Sequence, residues 1–124
     1  MKKLLIADDE PGVRALVRMT LEEESYEILE AADGAEALSL AHLHRPDLLL
    51  LDVMMPEISG YDVCRALKDD PWTAGITVVL LTAMTQRWDR DAGFEAGADD
   101  YFTKPFSPVA LLRKVDEVTS VASR

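Results

Sequence analysis

Leu48-Leu49-Leu50-Leu51-Asp52-Val53-Met54-Met55-Pro56 constrains the fold more than any other stretch: an unbroken apolar run ends in one carboxylate and is stopped by proline. A short apolar run bounded by turn formers suits a strand buried on both faces, as parallel strands between helix layers are. Asp52 then sits at the strand's carboxyl end, the edge at which open α/β sheets bind ligands. The residue is either part of a site or a cap for the helix that follows. Ser59 and Gly60 lie nearer that helix and can start it themselves.

The rest of the chain repeats this unit. Lys3 to Ala7 is a first buried strand ending in Asp8-Asp9-Glu10, with Pro11 placed for the first turn of a helix. Val13, Leu16, Val17 and Leu21 recur at helical spacing, with Arg14, Arg18, Glu22 and Glu23 outside. Tyr26 to Ala31 reads as an edge strand. Asp33 with Glu36 has capping-box spacing and opens a second helix that Pro46 terminates. Ser59 to Lys68 carries Val63, Cys64 and Leu67 on one face and is broken by Asp69-Asp70-Pro71. Ile76 to Leu81 is a β-branched fourth strand ending in Thr82-Ala83. Thr85 to Ala96 has weak apolar spacing for a fourth helix, and Gly97 ends it in a left-handed conformation. Asp99 to Thr103 forms a short fifth strand closing in Lys104-Pro105. Ser107-Pro108 then starts a helix with Leu111, Leu112, Val115 and Val118 as its buried stripe.

Five strands alternating with five helices imply a parallel sheet covered on both sides, an α/β fold. The flavodoxin-like, doubly wound order 2-1-3-4-5 fits. At 124 residues and 48% hydrophobic, residues 1–124 suit one domain. A net charge of −10 argues against nucleic acid or anionic membrane as a direct partner and favours cationic ligands or basic surfaces. The single Cys64 cannot form an internal disulfide, no signal peptide precedes the first strand, and the apolar runs are too short to span a bilayer. Together these point to a cytoplasmic chain.

In this topology strand 1 delivers Asp8 and Asp9, strand 3 Asp52, strand 4 Thr82 and strand 5 Lys104 to one edge. Like carboxylates at ~4 Å, with an effective dielectric near 20, repel by roughly 4 kcal/mol per pair. Lys104 offsets part of that and a hard divalent cation the rest. Mg²⁺ suits the loops better than Zn²⁺, because no Cys or His lies in them. Thr82 and Lys104, with Mg²⁺, can hold the oxygens of a transferring phosphoryl group, and Asp52 can act as its nucleophile.

These residues carry a resemblance. Asp8-Asp9, Asp52-Val53-Met54-Met55-Pro56 with Gly60, Thr82-Ala83, and Gly97 to Tyr101 leading to Lys104-Pro105-Phe106 resemble the response regulator receiver domain of two-component signalling, over nearly the whole chain. The resemblance implies Asp52 as phosphoacceptor from a sensor histidine kinase or histidine phosphotransfer protein. It implies Mg²⁺ held by Asp8, Asp9, Asp52 and the main-chain carbonyl of Met54, and phosphoryl contacts from Thr82, Ala83 and Lys104. It implies a cis Lys104–Pro105 bond and a switch through Thr82 and Tyr101 that reshapes the face of helix 4, strand 5 and helix 5. A downstream effector protein or domain would read that face, and a phosphorylation-linked homodimer is a further option.

Other readings compete. A Mg²⁺-dependent phosphatase of the haloacid dehalogenase type also uses an Asp nucleophile, but places a second carboxylate two residues on, where this chain has Met54. A flavodoxin-like cofactor binder would have its phosphate repelled by Asp8-Asp9-Glu10. An unphosphorylated interaction module of the same shape is the third. Either Met54 and Met55 simply plug the turn beside the site, or Met54 and Met84 flank the phosphoryl pocket and limit water there. Trp88 is a partner contact or a partly buried core residue, and Trp72 has no assigned role. His42 and His44 close helix 2, where a histidine commonly just complements the dipole, and Cys64 is inert packing.

Overall fold

Strand burial here follows from what each run can hide. The computed structural model describes residues 2–22, 26–83 and 87–122, with the side chains of 87–90 and 120–122 left outside the description. Its elements are β1 (Lys2–Ala7), α1 (Pro11–Leu21), β2 (Tyr26–Ala31), α2 (Gly34–His44), β3 (Leu48–Asp52), α3 (Gly60–Asp69), β4 (Thr77–Thr82), α4 (Arg87–Glu95), β5 (Asp100–Thr103) and α5 (Pro108–Ala122). The strands pair in parallel in the order β2-β1-β3-β4-β5. All five residues of β3 are buried, as a strand flanked by strands and covered by helices on both faces must be.

Alternation along the strands sorts the core into two layers. Leu5, Leu49, Leu51, Val78 and Leu80 point to one face, where Ala37 and Ala41 of α2 and Val63 and Leu67 of α3 meet them. Leu4, Ile6, Leu48, Leu50, Val79 and Leu81 point to the other, against Val17 and Leu21 of α1 and Leu111 and Val115 of α5. Each buried Leu, Ile or Val among them contributes on the order of 2 kcal/mol of burial. The sheet is therefore packed on both faces, and its carboxyl edge carries the polar groups.

Local signals place the helices. Pro11 occupies the start of α1. Asp33 caps α2 by accepting from Glu36 N at 2.8 Å, while Glu36 Oε1 accepts from Ala32 N at 2.6 Å, so the reciprocal bond of the capping box lands one residue before the cap. Ser59, not Asp52, caps α3, accepting from Asp62 N at 3.3 Å. Gly97 has φ +96 and follows α4, with Ala98 N donating to Gly93 O at 3.1 Å. Several bounds differ from the sequence reading by a residue: β1 starts at Lys2, α3 runs from Gly60 to Asp69, and β5 starts at Asp100. The fourth strand runs one residue later, so Thr82 belongs to β4, and α4 is described only from Arg87, because residues 84–86 lie outside the described residues.

Candidate functional site

Three strand ends and one loop converge. Asp8 follows β1 and is fully buried, its N–H donating to Ala31 O at 3.0 Å. Asp52 ends β3 at 3% exposure, and Thr82 ends β4 at 5%. Asp52 is registered against Leu81 and Thr82 against Thr103, which brings the residue after β5 to the same edge. Lys104 N donates to Thr82 O at 2.8 Å and the Lys104–Pro105 peptide is cis. The Lys104 ammonium lies 2.7 Å from Asp8 Oδ2, 3.3 Å from Asp52 Oδ1 and 3.7 Å from Glu10 Oε1.

The electrostatics follow from this crowding. Burial, reinforced by the charge of Asp8, pushes the Asp52 carboxyl up to about 6, although Lys104 and the Met54 N–H pull the other way. Burial works to lower the Lys104 ammonium too, but its hydrogen bond with Asp8 and the charges of Asp52 and Asp8 outweigh it and hold the pKa raised. Lys104 thus stays charged and is shared between two carboxylates. Asp8 Oδ1 accepts from Glu10 N at 2.9 Å. The fully buried Asp8 Oδ2 has the Lys104 ammonium at 2.7 Å as its partner, and that paired charge is what makes its burial tolerable.

Carboxylate oxygens of Asp8, Asp9 and Glu10 lie within 4.8 Å of one another. Asp52 is not part of that trio. Lys104 stands between Asp8 and Asp52, and the Asp52 carboxylate accepts instead from Met54 N at 3.3 Å. Glu10 was not among the residues read as a site from the sequence, though its place in an acidic run after a strand was the available signal. Met54 is 74% exposed beside Asp52, and Ala83 is exposed. Tyr101 of β5 is half-buried, meets Phe94 edge-on at 6.4 Å between centroids, and lines a small cavity together with Thr82, Val53 and Leu80. Met84 and the side chain of Trp88 lie outside the described residues.

Two supporting residues carry no chemistry of their own. Gly60 starts α3 against the loop after Asp52, its N–H donating to Val53 O at 2.9 Å. Arg14 of α1 donates from Nη1 to Asp8 O at 2.7 Å. Spacing placed Arg14 only on the outer side of its helix, so this reach toward the site was not legible.

His42 and Trp72 belong to another joint, between the end of α2 and the turn after α3. His42 Nε2 lies 2.8 Å from Asp70 Oδ2 and Nδ1 lies 3.1 Å from Leu38 O. Both ring nitrogens face acceptors, and a neutral imidazole has one N–H to give, so the imidazolium is the form that satisfies both. Trp72 Nε1 donates to His42 O at 3.0 Å, and the Arg45 guanidinium stacks 3.9 Å from the Trp72 ring. The hydrogen bond to Asp70, then that to Leu38 O, raises the His42 pKa. Its contribution to stability is accordingly complete below the ordinary histidine range and is lost as pH rises through the folded value. An NMR titration should find the His42 midpoint above the ordinary histidine value, and Asp70→Asn should lower it; an unmoved midpoint in that variant would refute the pairing. Cys64 is buried in the core, its thiol pushed up to about 11 by burial.

Comparison with known proteins agrees with this geometry. The sequence profile of the response regulator receiver domain matches residues 4–116. RpaA of Synechocystis, a DNA-binding dual master transcriptional regulator, is 42% identical over 129 residues, which cover 98% of this chain and 54% of RpaA. The chain spans about half, or less, of the length of the curated relatives it matches. Among solved structures, the chemotaxis protein CheY4 of Vibrio cholerae superposes with a TM-score of 0.90 at 34% identity, covering 95% of this chain and 98% of CheY4. The receiver domain of the sensor histidine kinase PA1611 of Pseudomonas aeruginosa, solved with a magnesium ion coordinated in its active site cleft, superposes at 0.85 with 28% identity, covering 94% and 95%. With the profile running from residue 4 to residue 116, through all five strands, this chain belongs to the response regulator receiver domain family.

Proposed function

We propose that Asp52 is the phosphoacceptor of a phosphorylation-dependent signalling switch. The observation that carries this is the setting of its carboxylate: 3% exposed at the end of β3, 3.3 Å from an ammonium that it shares with a second buried carboxylate. An Asp52 oxygen attacks the phosphorus of a phosphohistidine on a sensor kinase or phosphotransfer protein, the imidazole leaves, and an acyl phosphate forms. Lys104, already held at that oxygen, meets the incoming phosphoryl oxygens as a fixed positive charge. Thr82, one residue beyond the Leu81–Asp52 register pair, offers a hydroxyl from the neighbouring strand, and Ala83 follows it.

The donor set fits Mg²⁺. Asp8, Asp9 and Glu10 supply only hard oxygen ligands within 4.8 Å of one another, and the buried Asp8 Oδ2 already has a cationic partner in the Lys104 ammonium at 2.7 Å. Asp8 and Asp9 would hold the ion, with Glu10 within reach and Asp52 and the Met54 carbonyl added as the family resemblance implies. Bound there, Mg²⁺ would neutralise charge on the phosphoryl oxygens.

The output is conformational. Thr82 and Tyr101 line one cavity, so a shift of Thr82 toward a phosphoryl group opens room for the Tyr101 ring and alters the face of α4, β5 and α5. A downstream effector, or a second copy of the chain, would read that face. Residues 1–124 act as one cytoplasmic domain in this reading, and among the described residues no helix is long and apolar enough to cross a membrane. RpaA is DNA-binding by name; the net charge of −10 here favours protein partners for this stretch. Turnover of phosphomonoesters is disfavoured, since Met54 stands where a phosphatase would keep its second carboxylate.

With Mg²⁺ and acetyl phosphate, the wild-type chain should take up one hydroxylamine-sensitive phosphoryl group, and Asp52→Asn none. Label of equal amount in the variant would overturn the assignment.

A further inference from the structure

The turn that carries the acidic trio is held by its backbone. The N–H of Asp8 is fixed by Ala31 O, the last residue of β2, and its carbonyl by Arg14 Nη1. Arg14 is 18% exposed, and its Nε faces the other way, 3.2 Å from Glu30 Oε1. The second Glu30 oxygen accepts from Arg18 Nε at 2.7 Å, and Arg18 Nη2 donates to Ile28 O at 3.2 Å. A planar guanidinium clamped on one edge by a carboxylate has little freedom to turn. Its other edge therefore presents a fixed donor to the peptide that joins Asp8 to Asp9.

That peptide matters because its plane sets where the Asp9 main chain begins, and so where the Asp9 and Glu10 carboxylates can reach. We infer that Arg14 is a positioning residue for cation binding by Asp8, Asp9 and Glu10, acting through the Asp8 carbonyl. This rests on the Mg²⁺ reading above. The inference also has a sign that simple electrostatics does not share. Removing a positive charge near a cation site should by itself tighten binding. Removing a group that orients the ligands should weaken it, and residues that orient metal ligands typically change affinity by about 10–100-fold.

The experiment is a titration of the whole chain with MgCl₂, followed by the amide resonances of Asp9 and Glu10 at constant ionic strength. Arg14→Met should raise the Kd for Mg²⁺ about tenfold. Arg14→Lys, which keeps the charge but loses the fork, should fall between Arg14→Met and the wild type. Arg18→Met breaks the same Glu30 network without touching Asp8, and should leave Kd within about twofold while lowering the melting temperature as much as Arg14→Met does. Equal or tighter binding by Arg14→Met, against saturable binding by the wild type, overturns the inference alone. A weakening in Arg18→Met as large as in Arg14→Met overturns it too, by showing general loosening. Absence of saturable binding in the wild type removes the Mg²⁺ reading and the inference with it.

Discussion

Asp52→Asn should make the domain more stable at neutral pH by about 3 kcal/mol while removing the carboxylate proposed as its phosphoacceptor. The Asp52 carboxyl ionises at about 6 in the folded chain, against 3.8 for the free side chain. Below 3.8 it is protonated in both states, and folding carries no charge penalty there. Between 3.8 and about 6 the unfolded chain releases the proton and the folded chain retains it, so stability falls as pH rises. Above both values the full penalty persists. The folded protein therefore gives up stability to keep a buried carboxylate ionised, and burial is the first cause of the shift. Asn keeps the acceptor for Met54 N and leaves Lys104 its contact with Asp8. Urea melts of the two proteins across this pH range should coincide at the acid end, diverge as pH rises to about 6, and run parallel above it. A variant no more stable than the wild type at neutral pH would mean that Asp52 carries no such penalty.

The same balance explains what could be read from the chain and what could not. A Leu run closed by Asp52 and Pro56 dictates a strand buried on both sides with one charge at its end, and from that the strand order and the converging edge followed. Lys104 was legible as compensation because gathered carboxylates require one. Which carboxylates its ammonium touches was not. Charge arithmetic gathers Asp8, Asp9 and Asp52 at one edge; it does not say that one ammonium stands between Asp8 and Asp52, or that the Glu10 carboxylate comes within 4.8 Å of those of Asp8 and Asp9. Arg14 escaped for a related reason: helical spacing says which side of α1 it leaves from, but a long side chain can fold back over the helix start to reach a carbonyl six residues earlier in sequence. Arg45 closes α2 with φ 45, a conformation usually left to glycine, and no residue type announced it. For α4 the weak spacing was a fair warning, since its sequence offers few residues that the core could claim.

Gly60→Ala should destabilise the domain by about 3 kcal/mol and lower its melting temperature by on the order of 10 °C. A Cβ built on Gly60 would lie 2.2 Å from the Asp52 carbonyl oxygen, 2.8 Å from Val53 Cα and 2.9 Å from the Asp52 carbonyl carbon. All three are main-chain atoms, so no side chain can rotate aside. Relief requires either α3 or the turn after β3 to move, and Gly60 N is bonded to Val53 O across that same contact. If α3 withdraws, Val63, Cys64 and Leu67 lose packing in the core layer they share with Leu49 and Leu51. If the turn withdraws, the Asp52 carboxylate shifts away from Lys104. Either route also affects the site, so phosphoryl uptake from acetyl phosphate should slow in whatever fraction remains folded. Gly12→Ala is the matched control: Gly12 lies in the first turn of α1, nothing stands within 4 Å of its built Cβ, and the added methyl should raise stability by up to about 1 kcal/mol. Opposite shifts for the two Gly→Ala changes are the expected result. A Gly60→Ala melt matching the wild type would show that the turn after Asp52 yields without cost, and the close approach of α3 would then play no part in holding the carboxylate in place.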